Sequence, residues 1–307
     1  MTKDLAALIT PTLLTSLVNS RIEAPLTGAL DGSEIGRLTF SSGPSSAETN
    51  KATWPVLLAL SRVGVDALTP AYLATFLPPP ERADFPQQCL GMQLLLDQGP
   101  RALCKGIDAR WRGCYFDVVS RRFAKWTVSL PPALRPDALE RWKGEVGASF
   151  EYWILVRLWF GAPFVHSELL EDQGYALEYT DETRRALEEV TELQDPWRNR
   201  REDTLSDLTG FPRVVMAGPP QGEGVTFADF CWWWFMLMDI HKPIIDRFGR
   251  YPYANAARGR ESTAEEVKWL AEVDHFAQEA PEVERQVKKD VELGIWQPLG
   301  EGKIENP

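Results

Sequence analysis

"TFADFCWWWFMLMDIHKPIIDRF", residues 226–248, decides the class of fold. Phe227, Phe230, Trp234, Met238, His241, Ile245 and Phe248 recur at the three- and four-residue steps of one helical face. Thr226 precedes the run as an N-cap, with Asp229 three residues on. Trp232, Trp233 and Trp234 point in three directions around such a helix, so it is expected to be buried on most sides. Pro243 lacks an amide hydrogen and crowds the carbonyl of Asp239, which predicts a kink beside His241.

The same periodicity extends outward. "WPVLLALSRVGVDAL" (54–68), "QQCLGMQLLLDQ" (87–98) and "DARWRGCYFDVVSRRFAKW" (108–126) read as helices. Another is expected to open at Pro136-Asp137 and run through "EYWILVRLWF" (151–160). Pro100 is expected to close the helix that ends in Asp97-Gln98. "FVHSELLEDQGYALEY" (164–179) and "DETRRALEEVTEL" (181–193) read as an antiparallel pair. Ser262 with Glu265, or Thr263 with Glu266, makes a capping box for a late helix. No strand alternation competes and no repeat of about 34 residues stands out, so the chain reads as all-α. Its organisation is expected to be an irregular N-terminal segment (1–52) packed on a helical domain (53–278), then a charged tail (279–307) with room for one more helix. Within this frame, "SSGPSSAETN" (41–50) reads as a loop and 195–225, rich in Pro, Gly and charge, as a long insert loop.

Composition narrows the function. The chain has 307 residues, 44% of them hydrophobic, with 33 basic against 44 acidic side chains and a net charge of −11. An acidic surface repels phosphate backbones, which argues against nucleic acid and anionic membranes as partners. No apolar run approaches the roughly 20 residues of a membrane span. Cys89, Cys104, Cys114 and Cys231 form no CxxC pair, so they read as reduced, buried residues of a cytoplasmic protein.

Against this acidic background, "RFGRYPYANAARGRESTAEE" (247–266) concentrates Arg247, Arg250, Arg258 and Arg260 ahead of a helix N-terminus. Arginine forks suit carboxylate or phosphate, and a helix N-terminus suits an anion. Two readings stand side by side: an anion site, or arginines that brace the fold against Asp97 and Glu168. His241, within an apolar stripe, is either a satisfied core histidine or an acid/base group. Glu168 and Asp172, four apart, are either a solvated pair or ligands for a hard cation. Trp232, Trp233 and Trp234 are core residues, or in part the wall of an apolar pocket whose indole faces stabilise a cation.

Three stretches together, "LLLDQGPR" (94–101), "PFVHSELLEDQ" (163–173) and "HKPIIDRFGRYPYANAARGREST" (241–263), resemble the DUF924 family, a group named only as a domain of unknown function. Order and approximate spacing match across residues 55–275. The resemblance implies stacked antiparallel helical hairpins similar to tetratricopeptide-repeat proteins. The chain departs from the family pattern at Gly99, where relatives carry Phe, at Ala102, at Tyr253-Ala254 in place of His-Arg, and at Arg258, usually apolar.

The leading expectation is an enzyme for a small, largely apolar molecule with a phosphate, diphosphate or carboxylate group. His166 or His241 would act as acid or base, tuned by Glu168 or Asp239, with Asp97 completing the catalytic set. Arg101, Gln173, Arg250, Asn255, Arg258 and Arg260 would hold the anion. Trp234, Met238 and Tyr253 would line the pocket. A lyase or cyclase step of terpenoid type fits this outline, with Mg accompanying a diphosphate, although no DDxxD motif occurs. The alternative is a non-catalytic tetratricopeptide-like scaffold for a peptide or protein partner. A closed pocket where His, Arg and Trp converge would favour the enzyme, and a long open groove the scaffold.

Overall fold

A computed structural model describes residues 2–40 and 44–304 of the chain. Helix follows helix from Thr2 to Glu292, and no strand occurs among the described residues. Helix Phe85–Leu103 lies at the centre and is buried at most of its positions. Helix Phe150–Val165 is almost wholly apolar, Arg157 being its one buried charge, and is buried from Tyr152 onward, so it is covered on every side. Helix Leu170–Thr191 packs along it, and the tryptophan helix, Phe227–Asp239, packs against both. These stacked antiparallel pairs are compatible with tetratricopeptide-like packing.

Several local expectations are corrected. The segment 1–52 is helical rather than irregular: Thr2–Leu8, Pro11–Arg21 and Gly32–Phe40 are helices, and Pro44–Ser61 begins inside the stretch read as loop. Residues 41–43 of that stretch lie outside the described residues. Helix Pro11–Arg21 lies on Phe85–Leu103, and Gly91 permits it: a Cβ there would sit 2.3 Å from the carbonyl oxygen of Leu14. Pro100 does not close its helix, which runs to Leu103. The helix expected from Pro136 is broken into short pieces and restarts after the left-handed Gly147, with Ser149 capping Tyr152. The pair expected over 164–193 is one helix from Leu170, preceded by a turn that holds His166 to Leu169.

The insert at 195–225 carries two short helices, Arg201–Ser206 and Gly210–Ala217. The kink expected at Pro243 is a full break: Phe227–Asp239 ends, His241 sits at the corner, and Lys242–Phe248 begins anew. Thr226 and Asp229 form a capping box, as do Thr263 and Glu266. The tail folds back as helix Pro281–Glu292 against residues Asn255–Arg258. No helix among the described residues is long and apolar enough to cross a membrane. The four cysteines are free, and Cys114 alone of them is only half-buried.

Buried arginines tie the layers together. Arg157 donates to Asp137 at 2.8 Å. Arg184 donates to Asp195 at 2.6 Å and to Asp239 at 2.8 Å. Asp239 is therefore engaged with Arg184 and Arg201 and does not tune His241.

Candidate functional site

The turn after Phe150–Val165 brings His166 to the side of helix Phe85–Leu103. Helix Leu170–Thr191 clamps that turn with its first residues. The Gln173 amide donates to the carbonyls of Val165 (2.9 Å) and Ser167 (2.7 Å), and the Ser167 hydroxyl donates to Asp172 at 2.6 Å. The Tyr251 hydroxyl also donates to the Val165 carbonyl. His166 is thus set on a turn held from two directions.

Asp97 completes the arrangement. Its Oδ1 lies 2.9 Å from His166 Nδ1 and 3.1 Å from an Arg101 guanidinium nitrogen, while Gln98 donates to Oδ2 at 2.6 Å. Burial opposes the charge on Asp97, but Arg101, His166 and the hydrogen bonds from His166 and Gln98 outweigh it. They hold the carboxyl well below the usual carboxylate range. An ionised carboxylate can only accept, so His166 Nδ1 carries the hydrogen and Nε2 has no partner among the described residues. The result is an Asp–His dyad.

His241 stands nearby, its ring centre 6.2 Å from that of His166. Its Nδ1 donates to the Leu237 carbonyl at 2.8 Å, which leaves its Nε2 as an acceptor. Burial, and then the proximity of His166, lower its pKa to about 3, so it is a neutral imidazole near pH 7. Phe211, from the insert, covers the ring with centres 4.0 Å apart.

Two cavities share Arg101, His166, Phe211 and His241 as a common wall. One, about 260 Å³ and termed the polar cavity for its charged rim, has Arg112, Asp117, Tyr251, Tyr253 and Arg258 around it and Phe276 beside them, although apolar atoms make up most of its wall. The other, about 270 Å³, is walled by Trp159, Trp234, Met238, Leu237 and Val165, with Arg21, Thr39 and Gln98 at its edge. Trp159 and Trp234 meet edge to face at 5.0 Å. The polar cavity needs Gly113: a Cβ there would sit 2.7 Å from Arg258 Nε.

The charges beside the polar cavity form a chain of alternating sign. Arg101 reaches Asp117 at 2.9 Å, and Arg258 bridges Asp117 (3.2 Å) and Glu168 (3.0 Å). Arg260 grips Glu168 with two bonds, 2.7 and 2.9 Å. The Glu168 carboxyl is held below its usual range: burial opposes this, and Arg260 and Arg258 prevail. Glu168 therefore ties the 251–260 segment to the 166–169 turn and does not contact either histidine as a tuning group. Asp172 is taken by Ser167, Arg121 and Lys125, so it shares no cation site with Glu168.

Of the residues singled out in the sequence, Arg101, His166, His241, Tyr253 and Arg258 line the polar cavity, and Trp234 and Met238 line the tryptophan cavity. Asp97, Glu168 and Arg260 stand behind them through direct bonds. Three do not join. Arg250 grips Glu266 at 2.6 and 2.7 Å, Asn255 donates to Ser262 at 3.1 Å, and Gln173 is spent on the turn. Trp232 and Trp233 are buried outside both cavities.

Arg21, Arg112, Asp117, Trp159, Phe211 and Phe276 were not anticipated. Arg112 opens a π-helical stretch, Arg112–Phe116, and such bulges recur at functional sites, but i→i+5 bonding leaves no mark in hydrophobic periodicity. Phe211 lay in a segment read as loop. Among the described residues no group of three or more His, Cys, Asp or Glu side chains could hold a metal ion.

The family model described as "Bacterial protein of unknown function (DUF924)" matches residues 78–274, most of the chain, and the chain belongs to that family. No curated protein and no solved structure matches it. The matched stretch contains Asp97, His166, His241 and the arginine segment. It leaves out Arg21 and the N-terminal helices that cover Phe85–Leu103.

Proposed function

We propose that this DUF924 member is an enzyme acting on a small, largely apolar molecule that carries an anionic group, with the Asp97–His166 dyad as its acid/base device. One observation carries the reading: a histidine fixed through one nitrogen by an ionised aspartate, with its ring on the wall of two adjoining cavities. Asp97 orients the imidazole through Nδ1, so that Nε2 can take a proton from a bound molecule or return one. His241, neutral and fixed by Leu237, would accept a hydrogen bond from the substrate rather than carry charge.

The cavities suggest how such a molecule would lie. Its apolar body would rest against Trp159, Trp234 and Met238, whose faces and edges exclude water from the reacting centre. Proton transfer beside indole faces suits a lyase or cyclase step, since a developing positive charge is stabilised by about 0.5–2 kcal/mol per ring. Asp97, Asp117 and Glu168, the carboxylates nearest the cavities, are all engaged by arginines. These pairs leave no carboxylate among them free to hold Mg for a diphosphate. Terpenoid chemistry is one instance of the class, and other apolar anions fit the same description.

The test pairs binding with turnover. Hydrophobic carboxylates, phosphates and diphosphates are screened by thermal shift, where a ligand at 100-fold its Kd adds about 2.7 kcal/mol. Binders are then incubated with the protein, and products are read by mass spectrometry. Asp97→Asn and His166→Ala should keep binding and lower turnover by about 10²–10⁴. Conversion that survives both substitutions refutes the dyad. A binder that is never converted favours the scaffold reading.

A further inference from the structure

From a charge the fold leaves without a partner, we infer that Arg21 is the anion-recognising residue of the tryptophan cavity and that it selects a carboxylate on a flat apolar body. The inference rests on the reading of these cavities as the substrate site, but not on the identity of the reaction. Arg21 is the last residue of helix Pro11–Arg21, which the close approach at Gly91 lays along Phe85–Leu103. It is half-buried, on the edge of the cavity that His166 and Gln98 share. Its guanidinium carbon lies 4.9 Å from the centre of the Trp159 ring.

Arg21 makes no hydrogen bond and no ion pair with any described residue. Asp97 attracts it only at longer range, and burial disfavours its charge. Most arginines around the two cavities are already matched. Arg101 has Asp97 and Asp117, Arg258 has Asp117 and Glu168, and Arg260 has Glu168. Arg112 is looser but still has Glu279 at 3.9 Å. A desolvated guanidinium without a counter-charge is costly unless something supplies one. A fork resting on an indole keeps its edge N–H groups in a plane, the geometry that meets a carboxylate with two parallel bonds. A flat body attached to that carboxylate would rest against Trp234 and Met238, on the cavity wall that His166 shares.

This places substrate selection outside the family-matched stretch. Residues 78–274 supply the dyad, while the charge that reads the ligand comes from a helix before it. Arg21 is thus a specificity residue of this chain.

The experiment uses the full chain and four probes: phenylacetate, 3-phenylpropionate, phenyl phosphate and the neutral phenylacetamide. Binding is read by titration calorimetry and by tryptophan fluorescence. The wild type should bind phenylacetate roughly tenfold or more tighter than phenylacetamide, the worth of one charge-assisted hydrogen bond. Arg21→Met should erase that preference and leave phenylacetamide binding unchanged, and Arg21→Lys should retain part of it. Because Arg21 has no hydrogen bond or ion pair among the described residues, and only the Trp159 ring beneath it, Arg21→Met should also shift the melting temperature little. A clear fall in melting temperature would mean that the arginine braces the fold, and would overturn the inference. So would a wild type with no preference for the anions, a preference that survives Arg21→Met, or a preference lost on Arg112→Met instead. Phenyl phosphate binding tighter than both carboxylates would overturn the choice of carboxylate. His166→Ala should leave the preference intact, so failure of the acid/base reading and failure of this one are separable.

Discussion

Glu168→Gln distinguishes an acid/base role for this carboxylate from a bracing one. Glu168 accepts two bonds from Arg260 (2.7 and 2.9 Å), one from Arg258 (3.0 Å) and one from the Tyr251 amide (3.0 Å). Its side chain is 15% exposed, and those of Arg258 and Arg260 are 18% and 23% exposed. Glutamine keeps the shape and one acceptor oxygen but sets an NH₂ group against a guanidinium. Two partly buried cations then lose their shared counter-charge, which typically costs about 3–5 kcal/mol. That is a large share of the roughly 5–15 kcal/mol by which a domain is stable. Urea unfolding at pH 7 should show the midpoint falling with an unchanged slope.

The pH dependence carries a second signature. The folded pKa of Glu168 is depressed, so its contribution is fully present above the unfolded value of about 4.3 and is lost as pH falls through the folded pKa. The gap between wild type and Glu168→Gln should therefore close in acid. Binding of ligands in the tryptophan cavity should be little changed, since Glu168 does not line it. A loss below about 1 kcal/mol, the range of an exposed pair, would refute the bracing argument. So would a stable variant whose turnover collapses.

Arg250→Ala should leave Glu266, which is 2% exposed and caps helix Ala264–Glu272, with its bonds from Thr263 and Asn255 but without its counter-charge. A loss of about 3 kcal/mol by denaturation, with ligand binding unaltered, is expected. His241 is buried with a pKa near 3 against about 6.5 when unfolded. The unfolded state therefore binds the extra proton, and stability should fall as pH drops from 6.5 toward 3. His241→Phe should flatten that decline in denaturant titrations, and NMR of the wild type should show a neutral Nδ1–H imidazole at pH 5. Trp232→Ala should cost about 3–5 kcal/mol, because its indole is enclosed by packing. Trp234→Ala should cost less, since one side already faces a cavity, and should weaken ligand binding. Equal losses with unchanged binding would make both residues structural.

The sequence by itself determined the class of structure and the parts of the chain that matter. Period-3.6 apolar runs, such as Phe227 to Met238, can bury their faces only as packed helices, and local capping at Thr226 and Thr263 follows from side chains three residues away. The family motifs pointed to Asp97, His166, His241 and the arginine segment before any distance was known. Breaks within helices were less legible. Pro100 sits inside a continuing helix while the 136–160 run is interrupted, because packing overrides local propensity at such points.

Only the tertiary structure decided which charge meets which. Arg258 and Arg260 lie 90 and 92 residues from Glu168, and Asp117 joins Arg101 to Arg258 across three elements. An ion pair is set by a few ångströms of through-space distance, and residue order carries almost none of that information. The arginine segment, read in the sequence as either an anion site or a brace, pairs Arg258 and Arg260 with Glu168 and Arg250 with Glu266, while Arg258 also lines the polar cavity. Arg21, an unremarked residue at the end of an early helix, is left on a cavity wall over Trp159, with no ion pair among the described residues, because Gly91 lets two helices touch.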